Sequence, residues 1–186
     1  MRGSRVIDRE PEFVLGCVDD QLRSELQAFW KQHQEPFQAE LKAFRALHGD
    51  SAALLSQSKR PLSRHPAVIA RDEAGSIVGI VFVVLREIDS ALNLGTHAYF
   101  QRMYIVPGAR CPKLANRLFR LFLREFDNAV EWRDHRAKVL LAENVNPGLR
   151  KPSMRRYFAR LGFRMLGANQ LGGEVWLRKL QVRFVF

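Results

Sequence analysis

YIVPGARCPKLANRLF, from Tyr104 to Phe119, is the stretch whose reading decides the fold. An extended run stops at Pro107, a short connection follows, and from Pro112 the apolar residues change to helical spacing. Leu114, Leu118, Leu121 and Phe122 then share one face, with Asn116, Arg117, Arg120 and Arg124 opposite. A strand is expected from Tyr99 to Val106 and an amphipathic helix directly after it. Such a junction aims unpaired backbone N–H groups and the positive end of a helix dipole at one place, which suits a phosphate. Arg110 adds a charge-assisted donor at the entrance. Pro112 near the helix start costs little, because its missing N–H would have had no helical partner.

Upstream, the apolar run Ile77 to Leu85 (IVGIVFVVL) reads as a buried central strand. Ala67 to Ala70 forms a hairpin with Ser76 to Leu85, turning around Gly75. Residues before these read as helical. Asp19 or Asp20 caps a helix whose face carries Leu22, Leu26, Phe29 and Trp30. A second helix is expected from near Pro36, with Phe37, Leu41, Phe44 and Leu47 on its apolar side and Gly49 as its stop. Ser56 to Pro66 reads as an exposed basic loop. Downstream come a strand at Lys138–Ala142, a short helix opened by Pro152 and Ser153 and ended at Gly162, and closing strands at Phe163–Gly167 and Glu174–Leu180. The alternation describes one α/β domain with a mixed sheet. Residues 1–66 are its helical N-terminal part with the basic loop, and residues 67–186 are the core sheet with the strand-to-helix junction.

The chain has 186 residues, enough for a substantial core. Its 30 basic against 19 acidic residues give a net charge of +11, a field that concentrates polyanions. No apolar run reaches bilayer-spanning length, and Met1 to Glu10 is too polar for a targeting segment. Cys17 and Cys111 make no disulfide framework or metal spacing, and His33, His48, His65, His97 and His135 show no triad pattern. A cytoplasmic setting without membrane or metal is expected.

Three motifs in order resemble those of the GNAT (general-control-related N-acetyltransferase) superfamily. The coenzyme motif is matched at Ile105, Pro107, Arg110 and Ala115, with Leu114 and Leu118 at its apolar positions. AENVNP, Ala142 to Pro147, resembles the end of the strand that splays from its neighbour, and YFARLGF, Tyr157 to Phe163, resembles the aromatic and Gly-Phe ending. The resemblance implies the GNAT fold, a mixed, mostly antiparallel sheet flanked by helices. It also implies acetyl-CoA, or another acyl-CoA, as cosubstrate of an acyl transfer to a primary amine of a small molecule or macromolecule. Ile105 and Val106 would offer backbone groups to the pantetheine arm. Arg110, Cys111, Lys113, Leu114, Ala115 and Asn116 would cradle the pyrophosphate, with Asn146 as a further coenzyme contact. Glu143 is the candidate base and Tyr157 the candidate acid.

The sequence departs from that family at three points. Cys111 and Lys113 replace the loop glycines, Phe158 stands where the family presents its tyrosine, and Gln101 and Arg102 replace acidic residues of the coenzyme strand. Cys111 reads as a small buried residue or a thiol activated by the helix start. An alternative follows: a catalytically inactive GNAT-fold protein that holds RNA, or an acidic partner, on the basic face of Arg150, Lys151, Arg155, Arg156, Arg160 and Arg164. A homodimer through the closing VRFVF is also expected.

Overall fold

The computed structural model describes residues 9–46, 63–89, 92–144, 146–168 and 173–181. Its strands are β1 Glu12–Phe13, β2 Ser63–Arg71, β3 Ile77–Glu87, β4 His97–Ile105, β5 Ala137–Asn144, β6 Arg164–Ala168 and β7 Glu174–Lys179. Its helices are α1 Asp20–Ala46, α2 Pro112–Asn128 and α3 Pro152–Arg160. The strands form one sheet in the order β1-β2-β3-β4-β5-β7-β6. β4 and β5 pair in parallel, while β1 with β2, β5 with β7 and β6 with β7 pair antiparallel. The chain between β4 and β5 contains α2, the crossover that a parallel pair requires. This is the expected α/β architecture, a mixed and mostly antiparallel sheet with helices. Among the described residues, no helix is long and apolar enough to cross a membrane.

Two compact units share these elements: Met1–Glu35, His65–Val83 and Met103–Arg133 in one, Pro36–Arg64, Val84–Arg102 and Asp134–Phe186 in the other. In the first, successive residues of β4 point to opposite faces, as strand geometry dictates. Tyr104 meets Phe29 of α1 at 6.0 Å between ring centroids, and Trp30 meets Phe82 of β3 at 5.7 Å. Ile105 faces α2. Gly79 of β3 allows this packing, since a Cβ there would stand 3.0 Å from Leu118 and 3.5 Å from Ile105. Leu114, Leu118, Phe119, Phe122, Leu123 and Phe126 bury the inner face of α2. The apolar spacing thus extends further around this helix than Leu114, Leu118 and Phe122 alone, and Leu121 is only half-buried.

In the second unit, one face of the sheet packs Ala98, Val139, Leu141 and Leu177 together. The register pairs Ala142 with Trp176 and Asn144 with Glu174, which puts these four on the opposite face. There Phe158 of α3 stacks on Trp176 at 5.4 Å between centroids, and Phe163 packs edge-on against Phe158 at 5.6 Å.

Some sequence expectations are corrected. A single helix, α1, runs through Pro36 instead of stopping there. Gln32, whose carbonyl loses its helical donor, and Pro36 itself both lie on the exposed side, where water replaces that donor. The N-terminal part is not wholly helical, because β1 pairs Glu12 with Ile69 and Phe13 with Val68. The basic loop does not reach Pro66, since β2 begins at Ser63. Leu47, Gly49, Lys59, Arg60 and the closing VRFVF lie outside the described residues.

α1 begins where Asp19 Oδ1 accepts the Leu22 N–H at 2.7 Å, the cap expected of it. It is tied to β2 by Arg71, whose guanidinium stands 2.6 Å from Glu25 and 3.5 Å from Glu12. Hydrogen bonds from Arg71 first, then from Gln21, hold the Glu25 carboxyl below its ordinary value of 4.5. A depressed folded-state value contributes stability that is complete above the unfolded pKa and lost as pH falls through the folded one. Glu25→Gln should therefore unfold more readily than the parent at neutral pH, with the difference shrinking below about pH 4. Denaturant melts across pH measure this, and a constant difference would contradict the role given to the Arg71 pair.

Candidate functional site

The passage from β4 into α2 satisfies its polar groups in a way that leaves few donors for a ligand. Val106, just past the end of β4, gives its N–H to the Val78 carbonyl at 2.9 Å. Val106 is thus turned toward β3, and Ile105 offers its backbone to the other edge of β4. Arg110 occupies that edge: its Nε donates to the Ile105 carbonyl at 2.8 Å, and its guanidinium carbon lies 5.8 Å from the Tyr104 ring centroid. A short turn at Pro107–Ala109 joins the two elements, with the Arg110 N–H reaching the Pro107 carbonyl at 3.4 Å.

Cys111 is the N-cap of α2, and Pro112 the first helical residue. The Cys111 Sγ accepts the Leu114 N–H at 3.4 Å, doing with sulfur what serine or aspartate does with oxygen. Cys111 is exposed, which corrects the expectation of a small buried residue. A capping role requires its Sγ at the helix mouth and so keeps it at the surface. The Ala115 N–H is already in the helical ladder, bonded to the Cys111 carbonyl at 3.1 Å. Asn116 enters the same ladder one residue later. Of the backbone donors expected from Arg110 to Asn116, those of Cys111 and Lys113 have no acceptor among the described residues, because Pro112 has none to give and the first N–H groups of a helix lack an intrahelical acceptor. Lys113 is exposed beside them.

The other candidates lie in the second unit. Glu143 of β5 is ion-paired with Arg102 of β4 and its side chain is mostly buried. The replacement of an acidic residue by Arg102 thus supplies the cation that holds Glu143. Tyr157 of α3 is half-buried, its ring 5.9 Å from that of Phe158 and nearly perpendicular to it. Asn146 is exposed and closes a local turn, its Oδ1 accepting the Gly148 N–H at 2.8 Å. The recorded β4–β5 pairing ends at Gln101 with Ala142, while β5 continues beside β7 to Asn144.

No protein-family model and no curated protein matches this sequence. The chain is similar to GNAT-superfamily acetyltransferases of known structure. One is the phosphinothricin acetyltransferase of Sinorhizobium meliloti in complex with acetyl-CoA, 18% identical over 62% of this chain and 61% of that one, with a TM-score of 0.43. Another is the spermidine/spermine N-acetyltransferase of Vibrio cholerae, 15% identical over 62% of this chain and 63% of that one, with a TM-score of 0.40. A bacterial toxin of known structure is 15% identical over 62% of this chain and 68% of that one, with a TM-score of 0.47. This chain spans less than two thirds of the length of the two acetyltransferases named.

One residue that sequence reading passed over is Asn144. It is 4% exposed, and its Nδ2 has no hydrogen-bond partner among the described residues. A buried amide donor left unpaired is costly and uncommon. Asn146, the asparagine expected to contact coenzyme, is exposed, whereas Asn144 is buried, a difference that the sequence alone does not show. Among the described residues no group of metal-ligating side chains gathers.

The bond from Arg110 to Ile105 gives Arg110 a bracing part in the junction. Arg110→Ala should lower the unfolding free energy by about 1 kcal/mol, and Arg110→Lys should recover little of it, since an ammonium cannot copy the guanidinium's reach and plane. Chemical denaturation tests this. Full stability in Arg110→Ala would show that the brace contributes nothing.

Proposed function

We propose that this chain is an N-acyltransferase that passes an acyl group from acetyl-CoA, or a related acyl-CoA, to a primary amine. The observation that supports this best is the start of α2. Two backbone donors, Cys111 and Lys113, remain there at the positive end of a seventeen-residue helix, next to the Lys113 ammonium. That donor set fits the diphosphate of a coenzyme A nucleotide. The motif spacing from Ile105 to Ala115 and the ending Gly162-Phe163 agree with the same reading. Lys113 replaces with a charge what the missing glycine would give in backbone access.

In this reading the amine nitrogen attacks the thioester carbonyl, the carbon–sulfur bond breaks, and the departing thiolate takes a proton. Much of the acceleration comes from holding the two reactants together. Glu143 receives the amine proton, with Arg102 fixing its carboxylate, and Tyr157 supplies a proton to the thiolate. The Asn144 amide is a further donor for bound substrate. The acceptor is a small or macromolecular amine, and the acyl-CoA supply sets the protein in the cytoplasm.

Isothermal titration with acetyl-CoA should give saturable one-to-one binding, weakened about tenfold or more in Lys113→Glu. Unaltered affinity in that variant, or no binding by the parent, would remove the start of α2 as the coenzyme site. Tyr157→Phe should keep the affinity and lose turnover. An equally active variant would take Tyr157 out of the acid role.

A further inference from the structure

Past the last recorded β4–β5 pair, Gln101 with Ala142, β5 carries two more residues, Glu143 and Asn144. They point to opposite faces of the sheet, as neighbours on a strand must. Glu143 lies cross-strand from Val175, on the face that holds Leu141 and Leu177, and is paired with Arg102. Asn144 lies cross-strand from Glu174, on the face that carries Ala142 and Trp176 and that α3 covers through Phe158. Tyr157, next to Phe158, belongs to that same helix.

Asn144 is 4% exposed, and its Nδ2 has no hydrogen-bond partner among the described residues. Its register partner is a carboxylate, yet the Glu174 oxygens serve other donors. Oε1 accepts from the Arg155 Nε at 2.7 Å, and Oε2 from the Trp176 indole at 3.1 Å. The Arg155 guanidinium also balances the Glu174 charge. A buried N–H is thus left unsatisfied beside a neutralised ion pair, an arrangement that costs stability. A leucine would fill similar space without that cost. The amide earns its place only if a ligand brings the missing acceptor.

The acyl transfer proposed above, on which this step rests, needs one group besides a base and an acid. As the amine's electron pair forms the carbon–nitrogen bond, the carbonyl π pair moves onto oxygen. It returns as the carbon–sulfur bond breaks, and sulfur leaves with its pair to take the Tyr157 proton. In between, the negative oxygen needs a donor that is fixed in advance and shielded from water. We infer that the Asn144 Nδ2 donates to this thioester carbonyl oxygen. Base and oxygen donor then act from opposite faces of the sheet. The amine meets the carbonyl carbon from the face of Glu143, and the oxygen is held from the face that α3 covers. A neutral amide suits the task, since it brings no charge that would itself need a buried partner.

The test is infrared spectroscopy of the full chain with acetyl-CoA carrying carbon-13 at the thioester carbonyl. Bound to the parent, that carbonyl band should lie at lower frequency than in free acetyl-CoA, because a hydrogen bond weakens the C=O bond. In Asn144→Leu the band should return to its free position. Coenzyme A, which lacks this carbonyl, should bind parent and variant alike by calorimetry. The variant should also melt no lower than the parent, since it removes an unpaired buried donor. A band unmoved in the parent, or moved equally in the variant, would overturn the inference and leave the coenzyme site standing. Weaker coenzyme A binding by the variant would place the contact on the pantetheine amides, and a lower melting point would assign Asn144 to the fold; either contradicts it. No binding of acetyl-CoA by the parent would remove the acyl-transfer reading itself, and this step with it.

Discussion

Between Ile105 and Leu114 the backbone must change from extended to helical, and each polar group it exposes needs a partner or water. The Arg110 guanidinium bonded to the Ile105 carbonyl and the Cys111 sulfur bonded to the Leu114 N–H meet this need from within the segment. Pro112 removes one donor that would otherwise lack an acceptor. α2 then starts at a fixed point relative to the end of β4, and Leu118 can lie against Gly79. The buried face of α2, and with it much of the first unit's core, follows from that placement. The same economy leaves, among the described residues, two backbone donors and one ammonium at the helix start.

The second unit has a comparable anchor. Glu174 is buried at the start of β7 and accepts from the Arg155 Nε at 2.7 Å and from the Trp176 indole at 3.1 Å. A buried carboxylate is tolerable only with such partners. Through them α3 is fixed to the face of β7, Phe158 is seated on Trp176, and Tyr157 is held half out of the protein. Arg155 is thereby engaged with Glu174, while Arg156 and Arg160 of the basic face remain exposed.

Much of the fold was legible because it rests on periodicity. β3 to β5, α2 and the short α3 follow from runs of apolar residues at strand or helix spacing, and from prolines at helix starts. What periodicity cannot show is which rule yields locally. Pro36 reads as a helix start, yet the helix runs through it because the carbonyl it leaves unpaired faces water. β1 has two residues and no pattern to read. In the candidate site, the positions of Cys111, Lys113 and Glu143 were legible, but their partners were not. Sulfur as a cap, Arg110 folded back on its own strand, and Arg102 reaching Glu143 all depend on three-dimensional proximity. Asn144 and Asn146 are two letters apart, and only burial tells them apart.

The central claim is that the Cys111 and Lys113 backbone donors at the start of α2 receive the coenzyme's phosphates. Backbone amide shifts recorded by nuclear magnetic resonance during titration with adenosine 3′,5′-bisphosphate and with acetyl-CoA address it most directly. The account predicts that the Cys111 and Lys113 amides move furthest with acetyl-CoA, with Leu114 changing less because its N–H is already taken by sulfur. Shifts centred elsewhere, or an unmoved pair at saturation, would contradict it.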